Sequence, residues 1–408
     1  MRKIIFTLCI LQLTSLSISY GQFYNDGAEV TIQENAFIHI QGDFINQGGV
    51  IFKEGLIELG GNWINTVMEN PLNPGTGEVS LVGMDHNIGG DFNTLFNILS
   101  ISDDQNLTLD RTIGILNEVD FANGTINLNR NILHILSPDN TALLSDNGGI
   151  LAETSDIYSY VRWDVAETSQ QEYNIPFINV NGNRIPLSFQ LNEAGVGDEA
   201  YILFSTYGTA NDNTPLPIDI TNIDLLGDVT GLALVDRYWI VEGVDYTSLP
   251  SSSLTLSFDP SSEVVGDNTI NIDELEVINW DGIDTWNSIE GQANGIGSLT
   301  TIDISQYGEF SIWSNTSTSV IDLDKLVDLT VFPNPSQEAI SLKFDSPENE
   351  SLNVIVVDNT GRIVMNNESF IFQGQNELTY DVNALSSGSY QILIVGQSIN
   401  AVKKFTKI

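Results

Sequence analysis

Across residues 23–155 apolar positions alternate with polar ones in short runs, and Gly and Asn separate the runs. Ile38 and Ile40 flank His39, and Ile57 and Leu59 flank Glu58. At the same offset each pair is followed by a similar pentapeptide, Gly42-Asp43-Phe44-Ile45-Asn46 and then Gly61-Asn62-Trp63-Ile64-Asn65. Looser echoes occur at Gly89-Gly90-Asp91-Phe92, at Gly124 to Leu128 and at Ile132-Leu133-His134-Ile135. A period of two predicts strands that bury one face. Strands recurring about every 20 residues predict a β-solenoid, in which each coil buries its inward side chains against its neighbours. Gly and Asn suit the corners because they tolerate positive φ. At a constant period the region would hold about seven coils. A run of ordinary hairpins sharing turn residues is the alternative.

From about Asp156 the runs lengthen and the connections acquire prolines, as in Tyr173-Asn174-Ile175-Pro176-Phe177 and Thr214-Pro215-Leu216-Pro217. Alternating stretches at 200–205, 236–241, 253–258 and 275–280 predict a β-sandwich. Trp239, Trp280, Trp286 and Trp313 are expected in or near its core. The loop-like segment from Trp280 to Trp286 also raises a sugar-stacking platform as the functional alternative. Residues 314–319, Ser-Asn-Thr-Ser-Thr-Ser, carry no large apolar side chain and read as the start of a linker. The expected organisation is a signal peptide at 1–21, a β-solenoid-like region at 22–155, a β-sandwich at 156–313, a linker at 314–328 and a last module at 329–408. The fold class is all-β throughout.

Arg2 and Lys3 precede a short apolar stretch, Ile4 to Leu13, far below the ~18 residues of a membrane span. With small residues at Ser19 and Gly21, this reads as a signal peptide cut before Gln22. The single cysteine, Cys9, lies inside it, so the mature protein has no thiol and forms no disulfide. Leu8 and the continuing apolar run argue against lipid attachment at Cys9. The chain of 408 residues carries 54 acidic and 14 basic side chains, a net charge of -40. That balance excludes nucleic acid as a partner, because binding it requires neutralising phosphates with Lys and Arg.

The stretch from Leu329 to Ile408 holds the densest pattern. Leu329-Thr330-Val331-Phe332-Pro333-Asn334-Pro335 opens the module. Two prolines there remove two backbone donors and are expected to set the entry of its first strand. An alternating stretch then runs into Asp358-Asn359-Thr360-Gly361-Arg362, a hairpin turn. Leu385-Ser386-Ser387-Gly388-Ser389-Tyr390 leads into another strand, and Ala401-Val402-Lys403-Lys404-Phe405 closes the chain. Pro333, Asn334 and Pro335, then Asp358, Gly361 and Arg362, then Gly388 and Tyr390, and finally Lys403 and Lys404 appear in the order of a known family. This module closely resembles the C-terminal sorting domain of the type IX secretion system of Bacteroidetes. Phe332 stands where that family usually has Tyr, which keeps the ring. The resemblance implies an immunoglobulin-like sandwich recognised by the outer-membrane secretion machinery and its sortase, then usually removed. The cargo would be released or attached to surface lipopolysaccharide, so the expected location is secreted or on the outer cell surface. Lys403, Lys404 and Lys407 stand out in so acidic a chain, either as part of recognition or as a solvated strand edge.

Catalytic devices are sparse. His39, His86 and His134 are far apart and lack the short spacing of a zinc site. No Gly-x-Ser-x-Gly elbow or Gly-x-x-x-x-Gly-Lys loop occurs. Asp103-Asp104 is a carboxylate pair in form only, since consecutive strand residues point to opposite faces. No catalytic residue is assigned and no enzyme activity is expected. Dense Asp and Asn at turns supply the hard oxygen ligands that calcium takes. No complete calcium loop can be read, so calcium stays an open cofactor and the metal ligands stay unknown. The expected function is that of an exported, non-catalytic structural or adhesive protein. The alternative is a secreted protein that binds or degrades carbohydrate, including extracellular glycans, in the solenoid groove.

Overall fold

The computed structural model describes residues 21–67, 72–73, 75–83, 85–102, 104–218, 220–221, 223, 234–264, 270, 275–283, 285–289, 293–295, 297–314, 329–357, 363–395 and 399–408. The expected signal peptide through residue 20, Asp103, the linker beyond Ser314, and Asp358, Gly361 and Arg362 lie outside them. Every regular element among the described residues is a β-strand, and the chain forms two compact units that divide at 315/316.

The first unit starts as a solenoid. One parallel sheet stacks Phe23–Ile32, Phe44–Lys53, Trp63–Asn65, His86–Gly90, Asn106–Leu109, Thr125–Asn127 and Gly149–Leu151. A second parallel sheet stacks Phe37–Ile40, Leu56–Leu59, Glu78–Leu81, Thr94–Ile101, Ile113–Asp120, Ile132–Ile135 and Tyr160–Trp163. The register gives six turns among the described residues from Phe23 to Ile150, rather than seven. The coils differ in length. Contacts between adjacent coils span 21 positions from Asn25 to Asn46 and 19 from Asp43 to Asn62, but 25 from Asn62 to Asn87 and 24 from Asn123 to Asn147. The unequal coil lengths blur the sequence period without disturbing the stack.

Like side chains fall on like in this stack. Ile57, Val79, Leu99 and Val119 are successive register partners and all are fully buried. Each such side chain stabilises by about 1.5–3 kcal/mol relative to exposure. In the other sheet the repeat pentapeptides stack their rings. Phe23 lies on Phe44 at 5.0 Å, and Phe44 lies on Trp63 at 3.9 Å with planes 8° apart. Two residues on, Asn25 and Asn46 form a buried ladder in which Asn25 Nδ2 donates to Asn46 Oδ1 at 2.9 Å. Asp43 Oδ1 accepts the Asn62 backbone N–H at 2.8 Å, and Asn62 Oδ1 accepts that of Asn87 at 2.8 Å, so the variable second residue of the repeat ties each coil to the next. The second repeat glycine, Gly61, is needed for contact between coils. A Cβ on Gly61 would lie 2.4 Å from the Gly42 carbonyl carbon. Gly61→Ala is therefore expected to cost about 1–3 kcal/mol by overpacking backbone against backbone, seen as a lower denaturation midpoint. An unchanged midpoint would show that the coils can separate freely there.

The second solenoid sheet does not stop at Tyr160–Trp163. Val196–Gly208 joins that strand antiparallel, followed by Arg237–Ser248, Gly308–Ser314, Leu275–Trp280 and Trp286–Ser288. Opposite lies an antiparallel sheet containing Gln171–Ile175, Leu187–Glu193, Ser251–Ser257 and Ser298–Thr300. Phe189, Phe204, Leu254 and Phe310 fill the space between, and one hydrophobic core runs from Ile32 to Ile312. Covering the last coil with antiparallel strands satisfies its backbone groups at that end.

The second unit is a sandwich of seven strands among the described residues. Thr330–Phe332, Ala339–Ser346 and Gly374–Asp381 form one sheet; Ile363–Ile371, Glu350–Val357, Gly388–Val395 and Asn400–Lys407 form the other. Leu342, Val354, Ile392 and Phe405 lie in its core.

Candidate functional site

The candidates in the first unit are absorbed by its packing. Trp280 and Trp286, the expected sugar platform, sit edge to face at 5.6 Å and are 7% and 0% exposed, packed with Tyr158, Tyr207 and Tyr238. The hairpin they belong to pairs Trp280 with Trp286 across its strands, so both rings point inward and neither offers a face to a sugar. Trp239 is buried and Trp313 is partly buried, as expected.

The histidines bond between coils. His39 Nδ1 lies 3.2 Å from Glu58 Oε2 in the next coil. His86 Nδ1 lies 2.6 Å from the Gly61 carbonyl oxygen, and burial pushes its imidazole below the ordinary pKa. His134 Nε2 lies 3.0 Å from both oxygens of Asp164. Burial alone would raise the Asp164 carboxyl. The hydrogen bond and charge of His134, with Arg162 at 3.2 Å, hold it below its usual range. Beside His134 a groove of about 390 Å³ runs over Gly114 between Leu95 and Leu136. Asp104 is an exposed turn residue with positive φ. No group of three or more His, Cys, Asp or Glu among the described residues is arranged to hold a metal ion.

Two buried basic side chains, Arg237 and Lys53, escaped the sequence reading. Arg237 is 1% exposed, and its Nη2 lies 2.6 Å from both Glu153 Oε1 and Glu263 Oε1, while Nη1 donates to Thr206 Oγ1 at 3.0 Å. Burial would lower the guanidinium pKa, but the two carboxylates raise it instead. Lys53 is 3% exposed at the end of the strand Phe44–Lys53, where its stem runs over Gly77. Burial pulls its ammonium down to about 7, against the opposing pull of Glu78.

In the second unit the motif residues gather around one strand. Asn400–Lys407 pairs on one side with Gly388–Val395, which sets Tyr390 opposite Phe405, with rings stacked at 5.6 Å, and Gly388 opposite Lys407. Tyr390 Oη donates to the Ser386 carbonyl at 2.8 Å, closing the loop before that strand. On the strand's other side lies the Pro-Asn-Pro segment. Its prolines follow the first strand, Thr330–Phe332, and end it, rather than setting its entry, because that strand already pairs with Ala339–Ser346. Asn334 Nδ2 donates to Lys404 O at 3.2 Å, and Asn334 Oδ1 accepts the Thr406 N–H at 2.9 Å. Ser336, which the motif does not include, is 1% exposed and forms a parallel bridge with Lys407. Lys403 and Lys404 are both exposed.

Residues 330–407 match the family model of the secretion system C-terminal sorting domain. The second unit is a type IX sorting domain. A sorting domain of this kind marks its carrier for export by the type IX system, to the medium or the cell surface, and implies contact with that secretion machinery. No curated protein matches the chain. Among solved structures, that of dimeric latent PorU from Porphyromonas gingivalis is similar over 51% of this chain and 18% of that one, at 10% identity. Its TM-score of 0.18 is too low to bear on fold or function. Within the sorting domain, three of the four motif elements touch or form Asn400–Lys407, and the turn at 358–362 is the element outside the described residues.

Proposed function

We propose that residues 22–313 are a non-catalytic structural or adhesive cargo that the sorting domain delivers to the cell exterior. The supporting observation is the use to which the first unit puts its reactive side chains. His39, His134, Asp43, Asn62 and Asn25 bond from coil to coil, so the chemistry present serves to hold a stiff ladder. A stack of this kind is stable along its length and offers a long repetitive surface, which suits contact with other cells or polymers. Surface lipopolysaccharide is the proposed anchor if the product stays tethered. A second reading, carbohydrate binding or cleavage, draws on the groove between Leu95 and Leu136 beside the His134–Asp164 pair.

One experiment separates the two. The purified full chain is incubated with a panel of polysaccharides, and both retention and new reducing ends are measured. The structural reading expects no turnover on any member. Release of reducing ends that is lost in His134→Ala would replace it with an enzyme. Retention without release would make the cargo a glycan-binding module.

A further inference from the structure

A strand at the edge of a sheet exposes a row of unpaired backbone groups, ready to be met by another strand. Asn400–Lys407 is such an edge strand in the four-stranded sheet of the sorting domain. At its C-terminal end, however, the outer groups are engaged. Asn334 Nδ2 donates to Lys404 O, Asn334 Oδ1 accepts from Thr406 N, Ser336 N donates to Thr406 O at 2.8 Å, and Ile408 N donates to Ser336 O at 2.9 Å. Together these bonds form a short ladder along residues 404–408, and its first two rungs come from one side chain.

The motif's composition explains why a side chain is needed. Pro333 and Pro335 have no N–H and cannot extend a ladder. An Asn side chain carries the same donor and acceptor as a peptide group, so Asn334 supplies between the prolines what the backbone there cannot. Asp would keep the acceptor and lose the donor. Asn334 therefore closes an edge that the prolines alone would leave open, and it fixes the register of a strand whose Lys403 and Lys404 are exposed.

We propose that Asn334 is a positioning residue for sorting: it clips the outer edge of the C-terminal strand, so that the secretion machinery meets a rigid strand presenting Lys403 and Lys404 rather than an open edge available for strand addition. This rests on the sorting role of the second unit. The test uses the full chain with Asn334→Ala or Asn334→Asp. Delivery beyond the outer membrane is followed in a type IX-competent host, and hydrogen exchange is followed on the purified protein. In Asn334→Ala the amide of Thr406 is expected to exchange roughly tenfold faster, while amides of Glu350–Val357 keep their protection and delivery falls. In Asn334→Asp the Thr406 amide stays protected and delivery falls less. Faster exchange at Thr406 with wild-type delivery would overturn the proposal, and so would unchanged exchange. If Asn334→Ala also deprotects Glu350–Val357, Asn334→Asp decides: wild-type delivery for that variant together with weakened protection of residues 404–408 refutes the clip, and reduced delivery with Glu350–Val357 still protected supports it. Deletion of residues 330–408 is run in parallel. If the truncated chain were still delivered, the sorting role itself would fall and the clip with it, a failure distinct from a null result at Asn334.

Discussion

Arg237→Ala lowers the stability of the first unit by about 3–5 kcal/mol, the usual cost of removing one member of a buried ionic group. The guanidinium lies between Glu153, just past the last solenoid coil, and Glu263, in the turn that follows Phe258. Without it, two carboxylates buried to within 8% and 6% exposure face one another with no counter-charge. Other donors are too few to compensate. Glu263 keeps Asp259 N–H at 2.9 Å and a long contact from Asn179 Nδ2 at 3.4 Å, and Glu153 keeps the Gly208 N–H. The measurement is denaturant unfolding of the full chain followed by tryptophan emission. All six tryptophans, Trp63 to Trp313, lie in the first unit, so the signal reports on that unit alone. A companion variant, Arg237→Met with Glu153→Gln and Glu263→Gln, should recover much of the loss, because it removes the charges as well as their partner. If Arg237→Ala unfolded within about 0.5 kcal/mol of the parent, the usual limit for surface changes, the ionic group would be solvated in solution and its stabilising role refuted.

The same group shows where sequence reading ends. Glu153 and Arg237 are 84 residues apart, and neither has a neighbour that marks it as buried. Only the fold brings them together. The solenoid was legible because its constraints are local and recur: Gly61 must be glycine for its coil to reach the backbone of Gly42, and Phe44 and Trp63 must both be flat for rings to stack. That legibility fades after Asn65, where a longer coil makes Ile88 the next partner of Trp63, and the coil count inferred from a fixed period overshoots. Trp280 and Trp286 were ambiguous for another reason. The sequence between them looks like a binding loop, yet Asp281 Oδ1 accepts the backbone N–H groups of Ile283 and Thr285, and the flanking strands pair Trp280 with Trp286, which folds both rings inward. In the sorting domain the motif was readable as a pattern of residues, but the partner of its asparagine was not. Asn334 acts on Lys404 and Thr406, 70 and 72 positions away, and its prolines gave no hint that they follow the first strand.

Lys53→Met raises the stability of the solenoid at neutral pH, and the gain shrinks as the pH rises. Lys53 replaces an apolar side chain in the inward row of Phe44–Lys53, two residues after the fully buried Ile51. Its ammonium titrates at the ordinary 10.5 when the chain is unfolded and at about 7 when folded, chiefly because burial disfavours the charge. Between those values the unfolded chain binds more protons, so the stability of the parent climbs as pH rises from about 7, by up to about 1.4 kcal/mol per pH unit. Below about 7 the penalty is fully present and flat, at most about 5 kcal/mol for a shift of this size. Methionine has nearly the same length and no charge, so it removes the penalty while still covering Gly77. The informative quantity is the difference between parent and variant, measured by tryptophan emission from about pH 6 to about pH 9, below the range near 10 where tyrosines of the unfolded chain ionise. Restricting the range matters because burial raises Tyr160, Tyr207, Tyr238 and Tyr307. These would destabilise the fold at higher pH and mask the rise due to Lys53. The difference should narrow by about 2 kcal/mol across the upper two pH units. Parallel curves would mean that Lys53 keeps its charge in the folded state, with its head drawn out to solvent past Glu78, and the buried amine would then be no determinant of stability.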